Sequence, residues 1–164
     1  MTTVLAVDLG SASGRVLAGT LTDGRLDVTD IHRFKHEARR RADGTLTWDV
    51  ATMEAETIIG LKKALEQFPD AKTVSIDTWG VDWAPLDDNG ELVGDVIAYR
   101  DERTSRTLDA FRDRIADREF FDLTGNQPAT INTANQLFAY LQENPADAQR
   151  VAAALFLALA TILL

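Results

Sequence analysis

The feature that most constrains the fold is the opening stretch VLAVDLGSASGRVLAG, residues 4–19. Its first part is a short apolar run without alternation, Val4–Val7, which is typical of a β-strand covered on both faces. Asp8 follows this run, small residues come next, and the apolar pattern resumes after Arg15. We therefore predict two strands joined by a turn over residues 11–15, with a carboxylate at the end of the first strand.

The remaining signals predict a mixed α/β fold. The pair Asp23-Gly24 indicates a tight hairpin between the second and third strands. From Val50 the apolar residues recur at helical spacing until Pro69 ends the pattern. Further predictions are a turn and short strand over Asp43–Trp48, a hairpin turn at Asn89-Gly90, an extended segment DVIAYRD, a helix capped by Thr104 or Ser105 and running to about Ala116, a helix from Thr133 to Glu143, and a helix opened by Pro145. This order indicates an antiparallel hairpin that leads into a helical crossover.

Composition excludes several classes of function. The chain has 164 residues, enough for one good hydrophobic core and too few for two large domains. A net charge of −9 disfavours binding to nucleic acid or to an anionic membrane surface. The sequence contains no Cys and only two His, which excludes thiolate chemistry and disfavours a histidine-rich metal site. The N-terminus lacks the pattern of a signal peptide, so we expect a cytoplasmic protein.

The stretch VAAALFLALATILL, residues 151–164, is apolar except for one Thr. It is shorter than the ~20 apolar residues that a membrane-spanning helix needs. Three interpretations remain open: a buried helix whose covering partner is absent, a membrane tail anchor, or a segment that is not the natural continuation. A buried helix is favoured over an anchor.

The opening turn has the chemistry of a site for a nucleotide polyphosphate with magnesium. Asp8 can hold a hydrated magnesium ion, because this ion keeps several waters and takes few carboxylates. The small residues Ser11, Ala12, Ser13 and Gly14 let a ligand approach the backbone, and Arg15 supplies a fork of donors suited to phosphate. The alternative is an ordinary β-turn whose glycines only provide conformational freedom. From the residues alone the ordinary turn is slightly favoured.

Two further motifs suit a hydroxylated ligand. SIDTWGVDWAPLD, residues 75–87, places Asp77, Trp79, Asp82 and Trp83 around Gly80, so that carboxylates can accept hydroxyl hydrogen bonds and indoles can cover a sugar face. AYRDERTSR, residues 98–106, sets Arg100 beside Asp101. The alternatives are an amphipathic hairpin for the first motif and an ion pair or helix cap for the second. We expect His32 and His36 on a solvated strand and Trp48 in packing.

Taken together, the motifs resemble the N-terminal lobe of the rhamnulokinase branch of the FGGY carbohydrate kinases, within the actin-like ATPase superfamily. The resemblance rests on residues 4–19, on SIDTWGVDWAPLDDNGELVG and AYRDERT, and on the shorter IHRF, TWDV and LTGNQPATINTANQL, and it covers the chain to about Leu155. It implies an RNase H-like lobe with a mixed sheet, an antiparallel hairpin and flanking helices.

The resemblance also implies ATP-dependent phosphorylation of L-rhamnulose to L-rhamnulose 1-phosphate. By position, Ser11, Ala12, Ser13, Gly14 and Arg15 match the ATP phosphate segment, Asp8 matches the acid associated with Mg²⁺, and Gly80 matches a sugar-binding position. Trp79, Asp82, Arg100 and Asp101 lie in motifs that line the sugar pocket of the family.

The family has two lobes, and its catalytic Asp and adenine pocket lie in the second lobe, beyond residue 164. Residues 1–164 are thus expected to be an N-terminal kinase domain, incomplete at its C-terminal end, with no catalytic base of its own. We expect a truncated or frame-disrupted chain, or a fragment, that is inactive alone. The alternatives are a non-catalytic lobe that binds a sugar or a partner protein, and a kinase for another ketose. The oligomeric state is not predicted.

Overall fold

The computed structural model describes residues 1–157 of the chain. By their contacts these residues form two compact units. The first unit comprises Met1–Ala38, Asp49–Gly80 and Leu157, and the second comprises Arg39–Trp48 and Val81–Phe156.

The first unit contains a four-stranded mixed sheet and one long helix. Its elements are β1 (Thr2–Leu9), β2 (Ser13–Thr22), β3 (Arg25–Lys35), α1 (Val50–Gln67) and β6 (Val74–Thr78). The strand order in the sheet is β3-β2-β1-β6, with β1 antiparallel to β2 and parallel to β6. This arrangement confirms the predicted mixed sheet with its antiparallel hairpin and helical crossover.

Local signals explain the ends of these elements. Asp23 and Gly24 both have positive φ angles, 51° and 79°, as the two-residue turn between β2 and β3 requires. Asp49 caps α1, because its Oδ1 accepts a hydrogen bond from the Thr52 N–H at 3.0 Å. At the other end α1 stops at Gln67, two residues before Pro69. The predicted turn and helix boundaries are confirmed.

Helix α1 packs across β2 and β3 on one face of the sheet. Leu5, Val7 and Leu9 of β1 are buried on that face. Gly60 allows the close approach of the helix, because a Cβ added there would lie 2.4 Å from Cγ2 of Val16. On the opposite face Val28 is 61% exposed. The prediction that the first strand is covered on both faces is therefore wrong for the described residues, because β1 shows the alternation of a strand with a single covered face.

The connection between β1 and β2 is shorter than predicted. Only Gly10, Ser11 and Ala12 lie outside the strands, and the Gly10 N–H donates to the Ser13 carbonyl at 2.9 Å. Ser13, Gly14 and Arg15 already belong to β2, with Gly14 opposite Leu9 and Arg15 opposite Asp8. The predicted turn over residues 11–15 is corrected to residues 10–12, because the antiparallel ladder continues to the end of β1.

The second unit combines short strands with small helices. Strands β4 (Arg39–Arg40), β5 (Leu46–Trp48) and β8 (Val96–Ile97) form a three-stranded antiparallel sheet, and β7 (Trp83–Leu86) pairs with β9 (Ala153–Phe156). The helices are α2 (Arg103–Arg106), α3 (Leu108–Arg112), α4 (Asp117–Thr124), α5 (Thr133–Glu143) and α6 (Pro145–Ala148). The helix bounds at Thr133, Glu143 and Pro145 are as predicted.

Several predictions in this unit are corrected. Asn89-Gly90 forms its turn, but among the described residues the returning arm makes a single bridge, Leu86 to Leu92, and the strand that pairs with β7 along its length is β9. Thr104 is buried inside α2, where it cannot cap, and the helical run breaks at Thr107 and ends at Arg112 instead of near Ala116. Helix α4 was not predicted.

The apolar C-terminal stretch is in part a strand. Ala153–Phe156 forms β9 against the buried strand β7, so the interpretation of this part as a buried helix is wrong. Residues 158–164, the rest of this apolar stretch, lie outside the described residues. Among residues 1–157, helices long and apolar enough to cross a membrane are absent.

Candidate functional site

Asp8 and Arg15 form an ion pair at the end of β1. They are direct cross-strand partners, and both Arg15 contacts use the same oxygen, with Nε 2.8 Å and Nη2 2.5 Å from Oδ2 of Asp8. Their side chains remain partly exposed, 37% for Asp8 and 42% for Arg15. The guanidinium predicted to bind phosphate is therefore also the partner of the carboxylate predicted to hold the metal.

The sheet register brings a second carboxylate to the end of β1. In the parallel pairing of β1 with β6, Asp77 lies opposite Asp8, and Asp77 is exposed. Among the described residues, clusters of three or more acidic, His or Cys side chains that could hold a metal ion are absent. A magnesium ion needs only one or two carboxylates and completes its shell with water. Asp8 with Asp77 beside it fits this requirement, although an ion at Oδ2 would compete with Arg15.

The end of β3 supports the turn between β1 and β2. Gly14 is buried against the Phe34 ring, so closely that a Cβ added there would lie 2.3 Å from Cζ. The His36 N–H donates to the Ala12 carbonyl at 3.3 Å. Ser11 and Ala12 themselves are exposed. The exposed turn is thus held by strand pairing on one side and by residues 34–36 on the other.

His36 connects this turn to the predicted sugar-binding motif. Its ring stacks on Trp79, with centroids 5.8 Å apart and planes at 21°. Burial lowers the pKa of His36 below its usual value, and a hydrogen bond with the Gly10 backbone opposes that shift. His32 is also not solvated, because its Nε2 lies 2.6 Å from Oε2 of Glu56 on α1. The expectation of two histidines on a solvated strand is wrong, since α1 and the aromatic stack cover that edge.

Gly80, the next predicted sugar-binding residue, is exposed at the end of the first unit. A Cβ added there meets no described atom within 4 Å. The space beside this glycine is therefore open to a ligand, as the prediction requires. Asp8, the phosphate turn and Trp79 lie in one unit, and His36, which the sequence analysis did not count among the site residues, contacts both the turn and Trp79. Its position two residues after the strand pattern HRF was the only available signal.

The other predicted sugar-binding residues, Asp82, Arg100 and Asp101, lie in the second unit. Asp82 is fully buried, and its Oδ2 accepts a hydrogen bond from Nε1 of Trp48 at 2.6 Å. Asp101 is 6% exposed, and its two oxygens accept the N–H groups of Leu46 at 2.8 Å and Arg103 at 2.9 Å. Asp82 thus holds the Trp48 indole and Asp101 holds two backbone N–H groups, and a direct role of either acid in sugar binding remains a prediction.

Arg100 differs from the two buried acids. It is exposed, its Nε donates to the Tyr99 hydroxyl at 2.7 Å, and its guanidinium lies 5.2 Å from the Tyr99 ring centroid. A stacked guanidinium of this kind keeps donors directed to solvent or to a ligand. Arg100 is thus the member of this group that is accessible to a sugar.

The sequence analysis missed a buried pair in this unit, Arg103 and Gln136. Arg103 is 2% exposed and Gln136 is fully buried. Burial lowers the pKa of the Arg103 guanidinium, and the carboxylates of Asp101 and Asp82 oppose this effect. Arg103 lies in the AYRDERT motif, but nothing in its spacing distinguishes it from the exposed arginines around it.

Comparison with protein families gives a match to one domain. The model of the N-terminal domain of the FGGY family of carbohydrate kinases matches residues 3–163. The chain is 39% identical over 145 residues to a rhamnulokinase from Mannheimia succiniciproducens, covering 87% of this chain and 30% of that protein. It is 38% identical over 133 residues to a rhamnulokinase from Bacillus subtilis, covering 81% of this chain and 27% of that protein. The chain thus spans about 30% of the length of such relatives.

Solved structures agree on the fold. A xylulose kinase from Rhodospirillum rubrum superposes with a TM-score of 0.79 at 18% identity, covering 94% of this chain and 32% of that one. A glycerol kinase with ADP from Plasmodium falciparum gives a TM-score of 0.73 at 17% identity, covering 91% and 30%. At these identities the likeness concerns the fold alone, and it confirms the predicted α/β fold of the lobe.

Proposed function

We propose that this chain, which belongs to the FGGY family of carbohydrate kinases, supplies the N-terminal domain of an enzyme that phosphorylates L-rhamnulose to L-rhamnulose 1-phosphate. ATP is the proposed phosphoryl donor and Mg²⁺ the proposed metal. The observation that carries the proposal is the 37–39% identity to rhamnulokinases over more than four-fifths of the chain. Other ketoses remain the main alternative, since xylulose kinases share the fold.

In this proposal the end of β1 and the following turn form the wall of the phosphate site. Asp8, with Asp77 beside it in register, would hold the hydrated magnesium ion, which supplies charge neutralisation when bound. Residues 11–15 line the polyphosphate: Ser11 and Ala12 are exposed in the turn, and Arg15 presents a guanidinium from β2. Positioning and electrostatic stabilisation carry most of phosphoryl-transfer catalysis, so these residues act by fixing the donor.

The proposed sugar-binding residues divide into two roles. Three residues can contact the ligand directly. Trp79 has an accessible face, Gly80 has open space beside it, and Arg100 has an exposed guanidinium. Asp82 and Asp101 are buried and bound to internal donors, so they act on the sugar indirectly. Asp82 holds the Trp48 indole, and Asp101 holds the backbone N–H groups of Leu46 and Arg103. The acid that removes the proton from the sugar hydroxyl is proposed to lie outside residues 1–164, in the part of the relatives that this chain does not span.

The isolated chain is expected to bind L-rhamnulose without turning over ATP. The binding experiment titrates the purified chain with L-rhamnulose and follows tryptophan fluorescence, with Trp79→Phe to assign the signal. The turnover experiment supplies ATP, Mg²⁺ and the sugar and measures ADP. Sugar-dependent ADP release that disappears in Asp8→Ala would show that the catalytic base lies within this chain.

Activity of the complete domain arrangement is tested with a hybrid enzyme. The matched segment of the Mannheimia succiniciproducens rhamnulokinase is replaced by this chain, and ADP release is measured with L-rhamnulose and with D-xylulose. Preferential turnover of L-rhamnulose supports the proposal. Preference for D-xylulose would reassign the substrate, and a folded, inactive hybrid with sugar binding retained would support the non-catalytic binding lobe instead.

A further inference from the structure

We infer that Arg103 and Gln136 are positioning residues that hold the two sugar-binding segments of the proposed kinase site at fixed places in the second unit. This inference rests on the proposed function. The two segments are the backbone around Val81, which directly follows Gly80, and the backbone around Ala98, which precedes Arg100.

Hydrogen bonds of the pair run without interruption from one segment to the other. Arg103 donates from Nη1 to the Ala98 carbonyl at 3.1 Å and from Nη2 to Oε1 of Gln136 at 2.9 Å. Gln136 in turn donates from Nε2 to the carbonyls of Val81 at 2.9 Å and Ile131 at 2.8 Å. Displacing either side chain therefore releases a carbonyl beside a proposed sugar-binding residue.

The geometry requires these two residue types. A planar guanidinium can donate along two fixed directions at once, which a lysine ammonium on a flexible stem does not reproduce. A glutamine amide accepts at one atom and donates twice at the other, as the three contacts of Gln136 demand. Because both side chains are buried, water cannot replace a lost partner without a cost.

The surrounding charge keeps the network in one arrangement. Asp101 Oδ1 lies 3.9 Å from Nη1 of Arg103 and accepts the Arg103 backbone N–H, while its Oδ2 holds the N–H of Leu46. Asp82, one residue after Val81, contributes a second favourable charge and is bound to Trp48. The acids thus fix the arginine, and the arginine and glutamine together fix the two backbone segments.

Gln136→Glu separates positioning from general stability. The carboxylate keeps an acceptor for Arg103 but removes both donors, so the carbonyls of Val81 and Ile131 face a negative charge. Gln142→Glu on the same helix is the matched control, because Gln142 is exposed. The measurements are amide hydrogen exchange in peptides covering residues 79–84 and 96–102, and the affinity of the folded chain for L-rhamnulose.

We expect faster exchange in the 79–84 peptide and a dissociation constant for L-rhamnulose raised about three- to tenfold, the value of one net hydrogen bond. The control should change neither quantity. If Gln136→Glu does not fold, Arg103→Lys replaces it, with faster exchange expected at 96–102 and the same loss of affinity.

The outcomes distinguish the inference from the function on which it rests. Unchanged exchange in both peptides, or faster exchange with unchanged affinity, overturns the positioning role and leaves the proposed function standing. A wild-type chain that binds no L-rhamnulose overturns sugar binding by this chain, and the positioning role with it. Equal effects of Gln136→Glu and Gln142→Glu would show that added charge, not the lost donors, is responsible.

Discussion

Replacing Gly14 with alanine tests whether the Phe34 ring supports the proposed phosphate turn. The added Cβ would lie 2.3, 2.7 and 2.8 Å from the ring atoms Cζ, Cε1 and Cε2 of Phe34. The ring is only 7% exposed and is flanked by His32 and His36, with centroids 6.0 and 5.9 Å away. It cannot move aside without disturbing these neighbours, so the substitution overpacks the site.

The expected loss follows from two opposing effects. Overpacking a well-packed site costs about 1–3 kcal/mol. Replacing glycine by alanine at a compatible backbone position stabilises by about 0.4–1 kcal/mol, because the unfolded chain loses conformational freedom. Taking the middle of each range, about 2 and about 0.7 kcal/mol, the net loss of unfolding free energy is about 1–2 kcal/mol. At roughly 2–4 °C per kcal/mol for a chain of this size, the melting temperature falls by about 2–8 °C.

Scanning calorimetry on the purified chain measures this change, with Gly80→Ala as the matched control. Gly80 faces open space, so only the unfolded-state effect operates and its melting temperature should stay level or rise slightly. Adding Phe34→Leu to Gly14→Ala should remove most of the penalty, relative to Phe34→Leu alone. A Gly14→Ala variant that melts at or above the wild-type temperature would refute the packing argument.

Three further predictions concern the site. Trp48→Phe leaves the buried Asp82 oxygen without its indole donor and should lower the free energy of unfolding, measured by urea denaturation, by about 1.5–3 kcal/mol. A loss no larger than the one caused by Trp79→Phe, at a half-buried position, would contradict this. Burial lowers the folded-state pKa of His36, so the unfolded chain binds the proton first and stability should fall as the pH drops below about 6.5. His36→Gln should flatten that fall in urea titrations at pH 7 and pH 5, and an equally steep fall in the variant would assign it to other groups. Asp8→Ala in the hybrid enzyme should abolish most of the magnesium-dependent turnover. Asp27 is an exposed acid on β3, so the control variant Asp27→Ala should leave turnover intact. Equal turnover in the two variants would remove Asp8 from the site.

Local chemistry determined much of the first unit from the sequence alone. The Asp23-Gly24 turn needs two residues with positive φ, and this pair adopts that conformation readily. Helix α1 begins at Val50 and ends at Gln67, two residues before Pro69, and α5 has the predicted bounds Thr133–Glu143. Each of these features depends on residues a few positions apart, which is the range over which propensity and capping operate.

Pairing between distant segments decided the rest. Residues Ala153–Phe156 are a strand because β7 offers a free edge, although their apolar pattern suits a helix equally well. The ladder between β1 and β2 shortened the turn and placed Arg15 on Asp8 instead of leaving both open to a ligand. The two-residue repeat of side chains along a strand does not specify which strand edge that segment will pair with, so only the tertiary structure could settle these points.

The roles of the polar residues also depended on tertiary contacts. Asp82 and Asp101 were predicted beside a sugar, and the fold buries both, Asp82 against the Trp48 indole and Asp101 against two backbone N–H groups. The stacking of His36 on Trp79 and the hydrogen bond from Arg103 to Gln136 are likewise contacts between segments distant in the sequence. A sequence shows which side chains can donate, accept or carry charge. Which partner satisfies them depends on what the fold buries beside them, because an unpaired polar group is costly only after water has been excluded.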